Sequence, residues 1–291
     1  MVDQAEALRA LFRERMLSSA VAGRPPRVYT IAVTSGKGGV GKTSLAVNLA
    51  LLLASGGRHA RLVDADFGLS NAEVLLGVNP QYTLSDVVQG RIDARDAWVD
   101  AGPGLKQLSS GSGLHEMANL DGAMGAELIG HVMGSVSDGD VVVLDTAPGI
   151  NASVVSLLTL VDEVLMVTTP EPTSITDTYA AMKVLRSFAP EADVTLVTNC
   201  CTGPEQAAGV ARGLEQICLR FLGRSFDRRE LIPADDEVKT AVRRQSPFVV
   251  SSPRSAAANW LRKLALKLDS RIRAHQTEAE RERDGVLVNA A

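Results

Sequence analysis

Short, continuous apolar runs alternate along this chain with longer segments of helical periodicity, and this alternation constrains the fold more than any other feature. The runs lack the polar–apolar alternation of half-exposed strands, so we expect them to be buried on both faces of a parallel sheet. Helical segments of roughly 10 to 20 residues separate them. The pattern predicts an α/β fold with three layers, in which helices flank a mostly parallel central sheet. The predicted strands are residues 28–34, 60–66, 105–110, 140–146, 163–169, 193–199 and 228–233.

A glycine-rich run follows the first predicted strand and opens a predicted helix. Residues 36–43 read Gly-Lys-Gly-Gly-Val-Gly-Lys-Thr and match the phosphate-loop pattern G-x-x-x-x-G-K-[ST]. Glycines leave room for backbone N–H groups to converge on phosphate oxygens, and the helix N-terminus adds partial positive charge. We expect Lys42 to reach the β- and γ-phosphates and the Thr43 hydroxyl to bind Mg²⁺. The predicted nucleoside triphosphate site comprises Gly36, Lys37, Gly38, Gly39, Val40, Gly41, Lys42, Thr43 and Ser44.

Acidic residues end two further predicted strands. Asp64 and Asp66 end the second strand, and Asp145 ends the strand that precedes Thr-Ala-Pro-Gly. Open α/β sheets bind ligands at such strand ends, and a Walker B aspartate stands close to Mg²⁺ and its waters. Each aspartate taken alone is also compatible with a helix-capping role. Beside the phosphate loop that capping interpretation weakens, and Asp145 is expected to act on the Mg²⁺ of Thr43 through water.

Lys37 is a second lysine inside the phosphate loop, where a single lysine is enough to cradle phosphates. The run from Lys37 to Thr43 resembles the deviant Walker A motif of the MinD/ParA family, P-loop ATPases of the SIMIBI class. The resemblance implies an ATP-bound homodimer, in which Lys37 crosses the interface to the partner's phosphates. It further implies that Asp64 lies near the waters of the Mg²⁺ ion and that Asp66 orients the attacking water, so Asp66, Lys37 and Lys42 form the catalytic set. The family pattern D-x-D-x-G-L-x-N is intact from Asp64 to Asn71.

The same resemblance assigns the base to two other strand ends. Asn199 ends one predicted strand and Pro233 closes the last one. In MinD-like proteins, residues at these positions hydrogen-bond to adenine and sandwich it. The chain reads Asn-Cys-Cys-Thr from Asn199 onward, which lacks the guanine signature N-K-x-D, so ATP is favoured over GTP.

Three stretches are similar to one branch of this family, the flagellar-number ATPases FlhG (also called FleN). They are Thr-Pro-Glu-Pro-Thr-Ser-Ile-Thr-Asp at 169–177, Thr-Leu-Ser-Asp-Val-Val-Gln-Gly at 83–90 and Asp-Gln-Ala-Glu-Ala-Leu-Arg at 3–9. The resemblance implies slow ATP hydrolysis and control of a polar flagellar GTPase of the signal-recognition type, a flagellar transcription activator or C-ring proteins. One departure is Ala147-Pro148 in a loop that more often reads D-T-G-A-G. The implied GTPase-binding residues are Asp3, Gln4, Ala5, Leu8 and Arg9.

The chain is expected to have three parts. Residues 1–27 form an N-terminal helix and linker, in which an apolar stripe precedes Pro25 and Pro26. A terminal helix docked on its own protein and a docking peptide for a partner both fit that segment. Residues 28–273 form the ATPase domain and end in an amphipathic helix with Ser255 as N-cap. Residues 274–291 are acidic and predicted to be a disordered tail, without the basic helix that ends many MinD-like proteins, so membrane association stays open.

Composition limits the remaining choices. The net charge of −4 argues against a surface that attracts nucleic acid as a whole. The N-terminus carries no signal peptide, and the three cysteines indicate reduced thiols, so we expect a cytoplasmic protein. Peripheral placement at the inner membrane face or cell pole is compatible with this. The leading hypothesis is a regulatory ATPase of flagellar number and placement. The alternatives are a ParA-like partition ATPase that binds DNA non-specifically and a scaffold in which ATP is structural.

Overall fold

The computed structural model describes residues 27–66, 71–111 and 122–289 of the chain. Eight strands within these ranges form one sheet in the order β3-β4-β2-β5-β1-β6-β7-β8, and all neighbours are parallel except β3 and β4. This confirms the predicted mostly parallel sheet between two helical layers. The strands are β1 (Tyr29–Thr34), β2 (Ala60–Ala65), β3 (Val99–Gly102), β4 (Leu105–Leu108), β5 (Val141–Thr146), β6 (Glu163–Thr168), β7 (Val194–Cys201) and β8 (Arg228–Pro233).

Helices cover both faces of the sheet and enclose two apolar cores. Adjacent residues of β5 show the division, because Leu144 packs in one core and Val143 in the other. The first core includes residues of α4 to α7, and the second includes residues of α1 and α8 to α10. The helices are α1 (Lys42–Ser55), α2 (Ala72–Leu76), α3 (Leu84–Val88), α4 (Gly122–Ser135), α5 (Ala152–Leu158), α6 (Pro172–Phe188), α7 (Pro204–Leu222), α8 (Asp236–Arg243), α9 (Phe248–Ser251) and α10 (Ala256–Asn289).

The register of the central strands brings the predicted site residues to one edge of the sheet. Asp145 of β5 pairs with Asp64 of β2 on one side and with Val33 of β1 on the other. The glycine-rich run begins three residues after Val33, directly beyond the end of β1. The phosphate loop and the two aspartates therefore lie side by side at the carboxyl ends of parallel strands.

The edge strand β3 was not expected from the sequence. It spans only Val99–Gly102, and its residues alternate between half-buried and exposed. Because Asp100 and Gly102 interrupt it, it has no continuous apolar run. It lies antiparallel to β4, with an irregular register between those two residues.

The prediction of a disordered tail from residue 274 is wrong, because α10 continues to Asn289. Polar contacts, rather than an apolar stripe, hold its second half. Gln276 donates to the backbone carbonyls of Arg27 at 3.1 Å and Gly139 at 3.0 Å. Glu280 forms an ion pair with Arg27 at 2.6 Å. The expected domain boundary at Arg273 therefore falls inside a helix.

Some sequence predictions lie outside the described residues. These include the N-terminal segment, with Asp3, Gln4, Ala5, Leu8 and Arg9, and also Gly68 and Leu69 of the acidic loop. Ser255 does cap α10 as predicted, since its hydroxyl accepts the backbone N–H of Ala258 at 3.2 Å. Among the helices described, none combines the length and the apolar character needed to cross a membrane.

Candidate nucleotide site

The glycine-rich run forms a loop between β1 and α1 whose backbone turns through left-handed conformations. Gly39 and Gly41 have φ of 78° and 93°, a region that favours glycine. The Ser35 hydroxyl donates to the carbonyl of Lys37 at 2.6 Å, and the side-chain amide of Asn199 donates to the carbonyl of Val40 at 2.8 Å. One hydrogen bond within the loop and one from β7 therefore hold its backbone. The loop leads directly into the N-terminus of α1, which begins at Lys42. This is the geometry of an anion site.

Gly36 serves a different purpose from the other loop glycines. A Cβ at this position would lie 2.1 Å from the carbonyl oxygen of Asp177 and 2.8 Å from the backbone nitrogen of Thr178. Both atoms belong to the backbone of α6, which passes directly over the start of the loop. The first glycine of the motif is therefore required for contact between the loop and α6.

Burial and neighbouring charge strongly perturb the Asp145 carboxyl. It is 1% exposed, and neither of its carboxylate oxygens accepts a hydrogen bond from the described part of the chain. Burial, followed by the nearby Asp64 carboxylate, raises the pKa of Asp145 to about 8, against the opposing effects of the Thr43 hydroxyl and Lys42. Burial in turn lowers the pKa of Lys42, while Asp145 and Asp66 oppose that change.

Asp64 is fully buried and holds the acidic loop in place. Its Oδ1 accepts the backbone N–H of Asp66 at 3.0 Å, and its Oδ2 accepts those of Asn71 at 3.1 Å and Ala72 at 3.3 Å. The capping role that the sequence left open is therefore present. Its carboxylate also lies near enough to Asp145 to raise that residue's pKa. Any role near a metal ion adds to this structural one.

Asp66 lies half-buried at the end of the same segment. Its backbone carbonyl accepts the hydroxyl of Ser110 at 3.0 Å, which ties it to the chain that follows β4. Its negative charge opposes the lowering of the pKa of Lys42 at the base of the phosphate loop. The structure thus brings Asp66, Lys42 and Asp145 together, as the sequence predicted.

The residues fit a magnesium ion. The test is Asp145, whose buried oxygens have no partner in the described residues although an unpaired buried carboxylate is costly. A hydroxyl and carboxylates, completed by water and phosphate oxygens, are the ligands that Mg²⁺ prefers. Thr43 would hold the ion directly, and Asp145 and Asp64 would hold its waters.

The side chain of Lys37 extends away from the phosphate loop and contacts the segment at the start of α6. Its ammonium lies 2.8 Å from the Glu171 carboxylate and 3.0 Å from the Thr173 hydroxyl. Both side chains of the ion pair are substantially exposed, 36% for Lys37 and 65% for Glu171. Sequence reasoning predicted no partner for Lys37 within its own chain. In the sequence, Glu171 and Thr173 belong only to the stretch 169–177 that is similar to the flagellar-number ATPases.

A cavity of about 320 Å³ opens beside the phosphate loop. Backbone and side chains of the loop form one wall, and α8, α9 and α10 form the other. Ser44 and both predicted base residues, Asn199 and Pro233, line it, so the structure brings the phosphate and base positions together. The opposite wall was not foreseen from the sequence, and it contains Val238, Lys239, Val242, Phe248 and Leu261.

Asn199 makes a contact that its predicted role did not include. Its amide nitrogen binds the carbonyl of Val40, and its Oδ1 accepts the backbone N–H of Cys200 at 2.9 Å. Cys200 has a φ of 58°, unusual for a residue with a side chain. A Cβ on Gly41 would lie 2.6 Å from the Asn199 nitrogen. Asn199 therefore fixes the phosphate loop as well as lining the cavity.

The loop after Asp145 is fastened to the phosphate loop. The backbone N–H of Gly149 donates to the carbonyl of Ser35 at 2.9 Å. A Cβ on Gly38 would lie 3.9 Å from Pro148. Pro148, where the sequence departs from the more common motif, thus faces the phosphate loop without crowding it.

Comparison with known proteins places these features in a family. Residues 28–269 match the family described as ParA: NUBPL iron-transfer P-loop NTPase. Antiactivator FleN of Pseudomonas aeruginosa is 41% identical over 84% of this chain and 87% of its own length. Flagellum site-determining protein YlxH of Helicobacter pylori is 34% identical over 60% of this chain and 59% of its own length.

Solved structures agree with this assignment. The cell division ATPase MinD of Pyrococcus furiosus matches with a TM-score of 0.70 and 25% identity, over 83% of this chain and 98% of MinD. The similarity therefore extends from the sequence to the arrangement of the sheet and its helices. The chain belongs to the MinD/ParA family of P-loop NTPases and is an ATPase.

Proposed function

We propose that this chain is a MinD-like regulator of flagellar number and placement that works in the cytoplasm. It binds ATP with Mg²⁺, hydrolyses it slowly, and alternates between an ADP-bound or empty monomer and an ATP-bound homodimer. The observation that carries this proposal is its 41% identity to antiactivator FleN over 84% of the chain. The flagellum site-determining protein YlxH supports the same cellular role.

Hydrolysis follows from the groups gathered at the loop. Lys42 donates to the β- and γ-phosphates, and Asp66 orients a water towards the γ-phosphorus. The water oxygen bonds to phosphorus as the bond to the β–γ bridging oxygen breaks, which releases inorganic phosphate and leaves ADP. Mg²⁺, when bound at Thr43 and the waters of Asp64 and Asp145, neutralises phosphate charge. The half-buried position of Asp66 near Lys42 supports its role.

Dimerisation would make use of Lys37. Its exposed ion pair with Glu171 contributes little to stability, so it can be exchanged for contacts in a partner subunit. A γ-phosphate presented by a second copy carries more negative charge than the surface carboxylate, so it offers Lys37 a stronger charge-assisted bond. ATP but not ADP would then favour the dimer, because only the triphosphate supplies that differential contact.

The proposed partner-binding segment is the N-terminus. Residues 3–16 have an apolar stripe and are separated from β1 by Pro25 and Pro26. The segment would dock on the flagellar GTPase as an amphipathic helix, with Asp3, Gln4, Ala5, Leu8 and Arg9 at the contact. A flagellar transcription activator and C-ring proteins are further proposed partners.

A deletion of residues 1–20 tests this proposal. ATP turnover and dimerisation should stay within about twofold, because the predicted phosphate and base contacts all lie after residue 35. Stimulation of the polar flagellar GTPase should be lost, and a synthetic peptide of residues 1–20 should restore it. Gln4→Ala should weaken stimulation without unfolding the protein.

Two results would contradict the proposal. If the deletion stops ATP hydrolysis or unfolds the protein, the segment belongs to the ATPase domain. If removal of the gene from its own organism leaves flagellar number and position unchanged by electron microscopy, the cellular role is wrong. Complementation with a Lys42→Ala variant provides the control, because it should fail while wild type succeeds.

A further inference from the structure

A buried asparagine interrupts the apolar helix behind the phosphate loop. Asn48 of α1 is 1% exposed, in a stretch whose other residues from Leu45 to Ala54 are apolar. Its Oδ1 accepts the backbone N–H of Val249 at 2.9 Å, and its Nδ2 donates to the carbonyl of Ser44 at 2.7 Å. Asn48 therefore joins the second residue of α9 to the first turn of the phosphate-loop helix.

An aspartate joins the other two helices of the same wall. Asp235 precedes α8, and its Oδ1 accepts the backbone N–H of Glu237 at 3.0 Å. Its Oδ2 accepts the backbone N–H of Ala257 at 2.9 Å, in the first turn of α10. One carboxylate thus accepts backbone N–H groups at the starts of two helices. An ordinary N-cap residue accepts such groups from one helix only.

These two side chains hold the wall that faces the phosphate loop across the cavity. α8 has eight residues and α9 has four, and helices this short are not stable by themselves. Their placement depends on tertiary contacts, among which Asn48 and Asp235 are directional. The wall residues that depend on them include Val242 of α8, Phe248 of α9 and Leu261 of α10.

We propose that Asn48 and Asp235 are positioning residues for recognition of the base, which act by fixing α8 and α9 against the phosphate loop. The proposal rests on the ATP site proposed above and adds to it the residues that set affinity for the base. The phosphate loop itself is held by Ser35 and Asn199, through hydrogen bonds to Lys37 and Val40 that involve neither α8 nor α9. Loss of either positioning residue therefore separates base binding from phosphate binding.

Calorimetric titration of the full-length protein with Mg–ADP and with inorganic tripolyphosphate tests the separation. Asn48→Leu keeps the number and branching of side-chain heavy atoms and removes both hydrogen bonds, so ADP affinity should fall about tenfold while tripolyphosphate affinity stays within about twofold. Asp235→Ser retains an oxygen for Glu237 and is too short to reach Ala257. It should lower ADP affinity in the same way, whereas a simple capping role predicts full rescue by serine.

Asp236→Ala is the matched control, because the neighbouring carboxylate is exposed and pairs with Lys239 on the surface. It should leave both affinities unchanged. Equal losses of ADP and tripolyphosphate affinity, or no loss in either variant, would overturn the inference. If wild type binds tripolyphosphate but not ADP, the proposed ATP function itself fails, which is a distinct result. Thermal denaturation identifies a variant that does not fold, and the second position then provides the test.

Discussion

The contact between Gly36 and α6 predicts a large effect from a single methyl group. In Gly36→Ala the new Cβ would lie 2.1 Å from the carbonyl oxygen of Asp177, where contacts below 3.0 Å are essentially never seen. The loop or the helix must therefore move by about 0.9 Å, and overpacking of this kind costs about 1–3 kcal/mol. α6 cannot yield easily, because Thr178 is 1% exposed and its hydroxyl donates to the carbonyl of Ser174 at 2.7 Å.

Gly38→Ala is a matched substitution in the same loop. Its Cβ would meet only Pro148, at 3.9 Å, which is ordinary contact. Neither Gly36 nor Gly38 has a positive φ, so backbone strain does not distinguish them. Alanine also restricts the unfolded chain, which favours the folded state by about 0.4–1 kcal/mol where it fits. The two variants should therefore shift stability in opposite directions.

Thermal denaturation without nucleotide, followed by circular dichroism, measures the difference. For a chain of this size about 1 kcal/mol corresponds to roughly 2–4 °C, so a cost of about 1–3 kcal/mol in Gly36→Ala should lower the unfolding midpoint by about 2–12 °C. Gly38→Ala should leave it unchanged or raise it slightly. Mg–ADP should stabilise Gly36→Ala less than wild type, because the displaced loop binds phosphate less well. Equal midpoints for both variants would refute the reasoning.

Three further substitutions, one of them with a control variant, test the charges of the site. Asp145→Asn should raise the midpoint without nucleotide most at pH 9, less at pH 6 and hardly at pH 4, because a carboxyl whose pKa is raised to about 8 on folding loses stability as the pH rises from its ordinary value to about 8; thermal melts at the three pH values check this, and Mg–ADP should no longer stabilise the variant. Lys37→Ala should abolish ATP-dependent dimers in light scattering while ATP still binds, and Glu171→Ala should not. Asp66→Ala should lower phosphate release by about 10²-fold with ATP binding retained, and loss of binding would instead place Asp66 in the metal site.

The sequence predicted the central strands well because each is a continuous apolar run bounded by polar residues. Their predicted ends lie within two residues of those observed. β3 was missed because it has no continuous apolar run. An edge strand is partly exposed, so it can contain Asp100 and Gly102. The second half of α10 was missed because Gln276 and Glu280 hold it through polar contacts to Arg27, and periodicity does not report such contacts.

The phosphate side of the site was predictable and the base side was only partly so. The loop is local in sequence, and the ends of parallel strands bring Asp64 and Asp145 to it by register alone. Contacts between residues far apart in the chain leave no local pattern in the sequence from which they could be predicted. The Lys37–Glu171 pair spans 134 residues and the Asn48–Val249 bond spans 201. Asn48 did leave one trace, as a polar residue in an otherwise apolar helix.

Nucleotide binding should also change how the site holds its charges. Asp145 is buried without a hydrogen-bonding partner in the described residues, and its neighbour Asp64 accepts three backbone N–H groups. A cation and phosphate bound at Thr43 would give Asp145 partners and favour its ionised form. The loop that follows Asp145 is fastened to Ser35 through Gly149, so a shift at Asp145 reaches the phosphate loop that carries Lys37. We therefore expect the bound nucleotide to influence the exposed Lys37–Glu171 pair through this adjacent backbone, and hydrolysis would then act on the surface proposed for dimerisation.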